Sequence, residues 1–545
     1  MNAKKSLHNI FMNMRILFCI ILLIKFLSVQ SQNFNWAASV TSGGTEYGIK
    51  SVKDASGNTY LIGTTSLSNF KYQGIIYSTN GFGDTFFAKL DPNKSLIWMK
   101  SIGTSDSSSD EAEDIHIDSF GDIYISITSD GHNFTYNGQI LSGISAVGFN
   151  YTGEAVLLKV NSNGDYIWHD SGEVDSKFYG ITSDSEGNVY VTGTFCSSIT
   201  LGGSITLTNP STYYTDNLLI AKYQPNGTIV WAKYAGGLIN NIFAVGIDVN
   251  VNPQTEEVIV LCKASDGVSF DGIPMPPSTL FGSNDGFVLI SYNSNGTQNW
   301  IKRILDGQLN TFSVCRSMDI SNTGIIGICG FALYSGLVGF YTSDGTVITE
   351  HNHPTIDGLR FNSIAFNEFN DAYIAGWCED GILGMSPGTV SITNVTGFIV
   401  KMDIYQQVKW LKKFYSSYFK NQIHYSNGKL SYASRIDSFF YYNSGQTVIY
   451  NYGGDALFGE VTDNEIPLGV TAFNPNNINV YPNPTKGLIN IDADDFEQID
   501  IYNFNGVLVL SSKLKQINFI GHPSGIYLLK IRTKTGSINK KMIVN

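Results

Sequence analysis

The sequence is organised around a repeated turn that leads into a short apolar strand. The clearest copy runs from Asp184 to Gly193 and begins Asp-Ser-Glu-Gly-Asn-Val-Tyr, and related copies begin at Asp54 and Asp118. Glycine and asparagine tolerate positive φ angles, so a Gly-Asn pair between alternating apolar runs is a strong hairpin signal. The pattern returns about every sixty residues, which is typical of a repeat architecture.

A second hairpin follows the first within each unit. Most copies place an Asn-Gly turn or a looser equivalent shortly before a tryptophan, and these tryptophans are Trp98, Trp168, Trp231, Trp300 and Trp410. The flanking runs alternate apolar and polar residues, as half-buried strands do. Each unit therefore holds four strands, which we name A to D in chain order, and we expect the tryptophans to lie in the core.

The number of strands decides between an open array and a ring. Seven sets of A, B and C strands begin near residues 48, 113, 178, 243, 315, 361 and 422, but no D strand follows the seventh. A strand-like segment around Trp36 precedes the first set and supplies the missing D strand. We therefore predict an all-β fold in which residues 32–463 form a seven-bladed β-propeller closed by the N-terminal strand. Such closure protects sheet edges that a linear array would expose.

The two hairpin patterns together resemble the β-propeller repeats of bacterial secreted proteins. The resemblance rests on the Asp-x-x-Gly-Asn-x-Tyr turn and the Lys…Asn-Gly…Trp hairpin, and it covers roughly residues 32–463. It implies a propeller fold and a secreted or surface setting, and it implies no defined activity.

The N-terminus has the pattern of a secretory signal peptide. Lys4, Lys5 and Arg15 precede an apolar run at residues 16–27, and small residues follow. We predict that residues 1–31 are removed by cleavage between Ser31 and Gln32. No later stretch reaches the roughly 18 uninterrupted apolar residues of a membrane span, so we expect no transmembrane segment in the mature chain.

The net charge limits the classes of possible partner, and the cysteine count bears on disulfide pairing. The chain has 34 Lys and Arg residues against 46 Asp and Glu residues, a formal net charge of −12. An acidic ring repels phosphate backbones and anionic membranes, which argues against nucleic acid as a partner. Five cysteines remain after signal removal, and this odd number leaves at least one thiol unpaired. We interpret Cys196, Cys262, Cys329 and Cys378 as small buried hydrophobic residues.

The repeat pattern stops after Val461. Residues 464–475 are a polar linker with two prolines, and residues 476–545 contain short alternating runs that predict a small Ig-like β-sandwich. Conspicuous residues of this segment are Tyr481, Pro482, Asn483, Pro484, Gly525, Tyr527, Lys540 and Lys541.

These residues resemble the type A C-terminal sorting domain of the type IX secretion system. The resemblance covers essentially the whole segment, through its Tyr-Pro-Asn-Pro and Gly-Ile-Tyr blocks and its Lys-rich last strand. It implies a partnership with the type IX secretion machinery of a Gram-negative bacterium and passage through the periplasm to the surface or the medium. An ordinary Ig-like binding module is the alternative reading.

Long aromatic segments between strands B and C are the candidate binding surface. They lie on the face opposite the short turns, and loops on a rigid scaffold often carry binding residues. The candidate ligand-binding residues are Tyr72, Tyr136, Tyr213, Tyr214, Tyr441 and Tyr442. Their rings have the shape needed to stack on sugars, and the alternative is that they pack against the blades.

Three patterns resemble chemical sites, and each lacks a necessary part. Gly384-Met-Ser-Pro-Gly388 matches a hydrolase motif, but that nucleophile needs a strand before it and a helix after it. Residues 106–114 are dense in carboxylates but lack the glycine and glutamate of a helix–loop–helix calcium site. His351 and His353 have no third zinc ligand at a suitable spacing. We expect no catalytic residue, metal site or cofactor, with calcium at residues 106–114 as the alternative.

The leading functional prediction is a secreted or cell-surface propeller that binds a glycan or a surface partner. The alternatives are a propeller enzyme that acts on extracellular polysaccharide and a structural surface component. Paired carboxylates that converge at the mouth of the ring would favour the enzyme.

Overall fold

The computed structural model consists of β-strands and the turns that join them, so the predicted all-β class is confirmed for the described part of the chain. The chain divides into two compact units, one that ends at Asp463 and one that begins at Asn464. The described residues contain no helix long and apolar enough to span a membrane. The structure describes residues 34–79, 81–105, 109–144, 153–209, 215–237, 242–278, 285–306, 313–332, 335–354, 358–379, 381–385, 388–392, 396–414, 421–436, 440–442, 446–448, 454–462, 479–492, 496–503, 508–533 and 536–544.

The strands are numbered in chain order through both units. Those of the first unit are β1 (Phe34–Thr41), β2 (Glu46–Lys53), β3 (Thr59–Thr65), β4 (Asn69–Tyr72), β5 (Ile75–Ser78), β6 (Thr85–Leu90), β7 (Leu96–Gly103), β8 (Asp110–Ile117), β9 (Ile123–Ser129), β10 (Thr135–Tyr136), β11 (Gln139–Ile140), β12 (Glu154–Val160), β13 (Tyr166–Val174), β14 (Ser176–Ser183), β15 (Val189–Phe195), β16 (Ser198–Leu201), β17 (Ile205–Thr208), β18 (Asn217–Tyr223), β19 (Ile229–Gly236), β20 (Ala244–Val251), β21 (Val258–Ser265), β22 (Ser269–Phe270), β23 (Ile273–Pro274), β24 (Asp285–Tyr292), β25 (Gln298–Ile304), β26 (Ser313–Ile320), β27 (Ile326–Ala332), β28 (Ser335–Tyr341), β29 (Val347–Pro354), β30 (Arg360–Phe366), β31 (Ala372–Cys378), β32 (Gly381–Met385), β33 (Gly388–Ile392), β34 (Thr396–Met402), β35 (Val408–Phe414), β36 (Gln422–Ser426), β37 (Lys429–Ile436), β38 (Phe440–Tyr442), β39 (Gln446–Val448) and β40 (Asp455–Thr462). Those of the second unit are β41 (Asn479–Tyr481), β42 (Leu488–Asp492), β43 (Phe496–Tyr502), β44 (Leu508–Ser512), β45 (Gln516–Asn518), β46 (Gly525–Thr533) and β47 (Gly536–Val544).

Seven antiparallel sheets among the described strands share one four-stranded order. Their orders begin β2-β3-β6-β7, β8-β9-β12-β13, β14-β15-β18-β19, β20-β21-β24-β25, β26-β27-β28-β29, β30-β31-β34-β35 and β36-β37-β40-β1. The first strand of each sheet, which we call its innermost strand, contacts the innermost strands of the sheets before and after it, and β36 contacts β2. The N-terminal strand β1 pairs with β40, with Ala38 opposite Phe458 and Trp36 opposite Glu460.

The repeated Asp turn closes each hairpin with its own side chain. One carboxylate oxygen of Asp184 accepts hydrogen bonds from the backbone N–H of Glu186 (3.1 Å) and of Asn188 (2.8 Å), while the other accepts from the Tyr190 hydroxyl (3.0 Å). Gly187 has a φ angle of 79°, which glycine adopts without steric cost. The turns at Asp54 and Asp118 repeat these bonds. The sequence signature is therefore a structural turn rather than a ligand site.

The tryptophans join neighbouring sheets through the glycine of the next C–D turn. A Cβ atom on Gly227 would lie 2.9 Å from Cδ2 of Trp168, and a Cβ atom on Gly296 would lie 2.9 Å from Cδ2 of Trp231. The indole N–H groups of Trp168 and Trp231 donate to carbonyl oxygens of the following sheet. Trp231 and Trp410 are buried, and Trp98, Trp168 and Trp300 are half-buried against the core. The asparagine-glycine turn and the tryptophan are thus two halves of one contact.

Apolar side chains fill the spaces between adjacent sheets of the first unit, and the cysteines belong to this packing. Cys262, Cys315, Cys329 and Cys378 are buried, Cys196 is half-buried, and all five are free thiols. This confirms the interpretation of the cysteines as hydrophobic residues rather than a disulfide framework.

The second unit has two sheets that share one apolar core. The three-stranded sheet has the order β41-β42-β45, and the four-stranded sheet has the order β44-β43-β46-β47. Ile489 and Ile517 of the first sheet pack in one cluster with Leu529 of the second. The signature residues serve this fold: the hydroxyl of buried Tyr527 donates to the Pro523 carbonyl (2.8 Å), and the Asn483 side chain accepts from the Ile543 N–H (2.9 Å).

Candidate functional site

A cavity of about 660 Å³ lies where the innermost strands of the first unit meet. Its lining includes residues from all seven innermost strands, among them Lys50, Asp114, Asp248, Asp319 and His424. Ligand pockets in proteins commonly have volumes of roughly 300–1,000 Å³, so this cavity has the size of a small-molecule site. Its lining mixes charged groups with apolar ones, unlike the apolar packing between the sheets.

A bulge explains why polar residues stand at this place. Six innermost strands shift register at matching positions, for example between Ala112 and Asp114 and between Gly246 and Asp248. A bulge leaves backbone groups without ladder partners, and buried N–H groups need acceptors. The Asp114 carboxylate accepts from the Ile181 N–H (3.1 Å), and the Asp248 carboxylate accepts from the Met318 N–H (2.8 Å). Each carboxylate therefore links its own innermost strand to another.

One ammonium group stands among three carboxylates in the cavity. Lys50 Nζ lies 2.6 Å from Oδ1 of Asp114. Burial, together with the charge of Asp114, raises the pKa of Asp248 to about 7. Burial raises the pKa of Asp319 to about 6, although that carboxylate also accepts from the Phe366 N–H (2.7 Å). The cavity therefore takes up protons near neutral pH.

Two histidines of the cavity are neutral at physiological pH. Burial and the nearby charge of Lys50 lower the pKa of His116 to about 3, and the same two causes lower that of His424 to about 3. His116 Nε2 lies 2.8 Å from the Ser183 hydroxyl. These imidazoles offer neutral hydrogen-bonding groups rather than positive charge.

Two arginines, Arg316 and Arg360, also line the cavity, and we call them the cavity arginines. Cζ of Arg360 lies 4.6 Å from the ring centroid of Phe331 and 4.9 Å from that of Trp377. Cζ of Arg316 lies 5.5 Å from the centroid of Phe331. Burial and the neighbouring charge of Arg360 lower the pKa of Arg316. Two positive groups therefore share one aromatic surface.

Two of the ligand-binding residues predicted from the sequence do not line this cavity, and the side chains of the other four lie outside the described part of the structure. Tyr72 and Tyr136 are buried, with 1% and 3% of their surface exposed. Tyr72 pairs with Val40 through the hairpin β4–β5, and Tyr136 lies in the hairpin β10–β11, where its hydroxyl donates to the Gly164 carbonyl (2.7 Å). Each hairpin extends the outer edge of a neighbouring sheet.

These two tyrosines thus have the packing role that was the alternative reading, and ligand binding by them stays a prediction. Tyr213 and Tyr214 lie outside the described residues, as do Ser31 and Gln32. Tyr441 and Tyr442 belong to β38, and their side chains also lie outside the description.

The three chemical patterns show no assembled site in the part of the chain that is described. Gly384 lies in β32, which ends at Met385, and Gly388 begins β33, so a strand follows the motif where a hydrolase nucleophile needs a helix. Asp110 and Asp114 belong to β8, and Asp110 accepts from the Thr104 N–H (2.8 Å). The described residues contain no group of three or more His, Cys, Asp or Glu side chains that could hold a metal ion.

Sequence reasoning missed the cavity, although a weak signal was present. Lys50, Asp114, Asp248, Ser317 and Ser363 occupy one matching position in five A strands whose neighbouring positions are largely apolar. Alignment of the A strands on their following turns would have placed these polar residues in one ring. The cavity arginines and Trp377 had no repeat pattern that could have revealed them.

Comparison with known proteins gives only weak structural matches for most of the chain and a family match for its C-terminal segment. No curated protein matches this sequence. Solved structures match with low similarity: a protein of unknown function from Bacteroides caccae (10% identity, 65% of this chain and 93% of that one, TM-score 0.33) and the polysaccharide lyase Uly1 (8%, 79% and 99%, 0.38). An intramolecular trans-sialidase from Ruminococcus gnavus matches at 10% identity over 80% of this chain and 96% of its own, with a TM-score of 0.34.

Residues 479–545 match the family model described as a secretion system C-terminal sorting domain. This match confirms the resemblance found in the Tyr-Pro-Asn-Pro and Gly-Ile-Tyr blocks. The protein carries a C-terminal sorting domain of the type IX secretion system and is exported to the cell surface or beyond it.

Proposed function

We propose that the first unit is a seven-bladed β-propeller closed by its N-terminal strand, and that it acts outside the cell as a binding protein. Its ligand, a glycan or part of a surface partner, occupies the cavity between the innermost strands. The pairing of β1 with β40 and the contact of β36 with β2 support the closed ring. The observation that carries the function is the convergence of charged side chains from the innermost strands on one cavity.

A glycan array probed with the mature full-length protein tests this proposal. We expect retention of at least one class of glycan, recovered without change in mass. Replacement of Asp248 by alanine, on the cavity wall, should weaken that retention, whereas replacement of exposed Lys302 by glutamine should leave it unchanged. Retention that is equal in both variants, or no retention of any glycan or isolated surface component, would contradict the proposed cavity function. Tyr213 and Tyr214 are proposed to extend the site, and their joint replacement by alanine tests that extension.

The second candidate is an enzyme that acts on extracellular polysaccharide, and one observation favours it. Asp248 has a pKa raised to about 7, partly by the charge of Asp114 in the same cavity, and carboxylate pairs with separated pKa values serve as acid and base in glycoside hydrolysis. Both carboxylates also accept hydrogen bonds from backbone N–H groups, and this structural role is by itself a reason for Asp114 and Asp248 to be present. New reducing ends in polysaccharide incubated with the protein, lost in Asp248→Asn, would establish the enzyme instead.

We propose that the mature chain begins at Gln32 after removal of residues 1–31, and that the polar segment 464–475 links the two units. Type IX export supports cleavage of an N-terminal signal, because the chain must first reach the periplasm. Deletion of residues 476–545 should leave the first unit folded and trapped in the periplasm. Cell fractionation and N-terminal sequencing check both statements, and normal surface display of the truncated chain would contradict the second.

A further inference from the structure

No carboxylate among the described residues pairs with the cavity arginines. Among the described residues, neither guanidinium group forms an ion pair with a carboxylate or a hydrogen bond with a protein acceptor, and Nε of Arg360 is buried without a partner. A buried polar group without a partner costs free energy, and the cost is greater for a charge. Arg360 is half-buried and Arg316 is exposed at the cavity wall, so this cost falls on the buried Nε atom of Arg360.

The aromatic contacts fix these groups without using their hydrogen-bonding capacity. Phe331 and Trp377 both support the guanidinium of Arg360 by cation–π contacts, with Cζ 4.6 Å and 4.9 Å from the two ring centroids. The N–H groups point outward in the plane of a guanidinium, so cation–π contacts leave them available. Phe331 and Trp377 are buried, which makes the aromatic support rigid. The arrangement presents oriented donors that have little conformational freedom left to lose on binding.

The other residues that line the cavity determine which chemical groups a bound molecule can carry besides an anion. Lys50 and Lys263 are further cations of the wall, while Asp248 and Asp319 supply acceptors, and Gln422 an amide. Glu113 is also part of the lining and accepts from the Thr128 hydroxyl (3.3 Å). A second anionic group near Asp248 or Asp319 would be repelled, whereas hydroxyl groups could donate to them. The wall therefore suits a molecule that is acidic at one end and rich in hydroxyl groups elsewhere.

We propose that the cavity binds an acidic sugar, whose carboxylate pairs with Arg316 and Arg360 and whose hydroxyl groups face the carboxylates and the amide of the wall. Planar guanidinium donors match a carboxylate in a two-bond arrangement that lysine cannot reproduce. The inference rests on the proposed binding function and specifies its ligand class. The acidic net charge of −12 does not oppose it, because local charges within a cavity determine recognition at short range.

Calorimetry on the mature full-length protein with three probes tests this ligand class. Sodium galacturonate should bind and should raise the melting temperature, because a ligand that binds only the folded state stabilises it. Galactose, which lacks the carboxylate, should bind at least about tenfold more weakly, since an unpaired buried charge then remains. Sodium acetate measures the contribution of the carboxylate alone and should bind more weakly than galacturonate.

Matched variants connect the binding to the two arginines. Arg316→Gln and Arg360→Gln should each weaken galacturonate binding by about tenfold or more, and Arg360→Lys should not restore it, because lysine lacks the planar donor pair. Lys302→Gln removes the same charge from an exposed position and should leave binding unchanged. Far-ultraviolet circular dichroism and melting curves verify that each variant is folded.

The outcomes separate this inference from the proposed function. Equal binding of galactose and galacturonate, or undiminished binding by both arginine variants, would overturn the acidic-sugar inference while a binding function stands. Absence of galacturonate binding at concentrations on the order of 10 mM would also overturn it, since such a site would be weaker than any useful ligand site. The broader proposal fails only if the glycan array and the surface components give no ligand at all.

Discussion

Two groups of positive charge in the first unit differ in whether the described residues supply their anion. Lys53, Lys94 and Lys429 surround the carboxylate of Glu460, and we call these four residues the junction cluster. Lys94 Nζ lies 2.7 Å from Oε2 of Glu460, Lys429 Nζ lies 3.0 Å from Oε1, and Lys53 donates to the same carboxylate. The cavity arginines have no comparable partner among the described residues.

The junction cluster reverses the charges found at other sheet boundaries. Lys159 and Lys222 lie opposite Trp168 and Trp231 on the neighbouring strand, and Glu460 lies opposite Trp36 in the same way. Those lysines donate to carbonyl groups in the C–D turn of the following sheet. At the boundary that joins the two ends of the first unit, a carboxylate replaces the lysine and Lys94 of the C–D turn supplies the positive charge.

The difference suggests that these two groups of positive charge have different roles. Where a cluster joins the first and last sheets, the chain supplies every partner, so the charges stabilise one particular pairing. Where the cavity arginines lie, a partner is omitted although carboxylates are abundant in the sequence. We infer that the junction cluster serves assembly and that the cavity arginines serve a ligand. The following predictions test this distinction.

The largest effect should come from removal of the junction anion. Glu460→Gln leaves the buried lysines Lys53 and Lys94 without their counter-charge, and loss of one partner of a buried ion pair typically costs about 3–5 kcal/mol. All seven tryptophans lie between residues 36 and 410, so tryptophan fluorescence during urea unfolding reports on the first unit alone. Asp344→Asn, which alters an exposed turn carboxylate, is the matched control. A change below about 1 kcal/mol in Glu460→Gln would place the junction cluster among unimportant surface pairs.

A second prediction concerns the pH dependence of that effect. Burial alone would raise the pKa of Glu460, but hydrogen bonds from Lys53 and Lys94 outweigh it and lower the pKa to about 2, from an ordinary value of 4.5. A lowered pKa of a carboxyl group means that its stabilising contribution is complete above about pH 4.5 and is lost as the pH falls toward 2. The stability difference between wild type and Glu460→Gln should therefore be constant from pH 5 to 7 and should shrink below pH 4.5. Urea midpoints at four pH values measure it, and a difference that persists undiminished at pH 2.5 contradicts the assignment.

The cavity histidines should also reduce stability as the pH falls, but over a higher pH range than Glu460. The pKa values of His116 and His424 are lowered to about 3, so both imidazoles should remain neutral at pH 5, where an ordinary histidine is protonated. Because the unfolded chain binds these protons first, the two residues should reduce stability as the pH falls from about 6.5 toward 3. Histidine side-chain NMR on selectively labelled protein checks this, with the urea-unfolded protein as the reference. Titration of either cavity histidine near pH 6.5 would show that the cavity is more hydrated than its packing indicates.

Repetition determined which of these features the sequence could predict. The Asp184 turn and the tryptophan contacts recur in several copies. In each copy, the interacting residues lie within a few positions of one another or in the next sheet. The sorting domain was predicted for the same reason, since its signature residues lie in one short segment. The pairing of β1 with β40 followed from strand counting rather than from local pattern.

The cavity carried only a weak signal of this kind, and the junction cluster carried none. The lining of the cavity draws a few residues from each innermost strand, and those strands lie about sixty residues apart in the chain. Glu460 departs from the lysine that other copies have at this position, so the repeat pattern does not indicate its role. The sequence left two roles open for Tyr72 and Tyr136, because an aromatic residue in a long connection fits both a ligand surface and a hairpin that packs on a neighbouring sheet. Only the three-dimensional pairing distinguishes the two.

The smallest effect on stability should come from the cavity arginines, and it is the most decisive for the comparison. Arg316→Gln removes one of two like charges, and burial together with the charge of Arg360 already lowers the pKa of Arg316. The substitution should therefore change the free energy of unfolding by no more than about 1 kcal/mol, and relief of repulsion favours a gain in stability. Urea unfolding followed by tryptophan fluorescence measures it under the conditions used for Glu460→Gln, with Arg303→Gln as the control because Arg303 is paired with Asp266 and Asp306. Arg303→Gln should lose stability and Arg316→Gln should not. If Arg316→Gln costs as much as Glu460→Gln, the arginine holds the fold together and both groups of charge serve assembly.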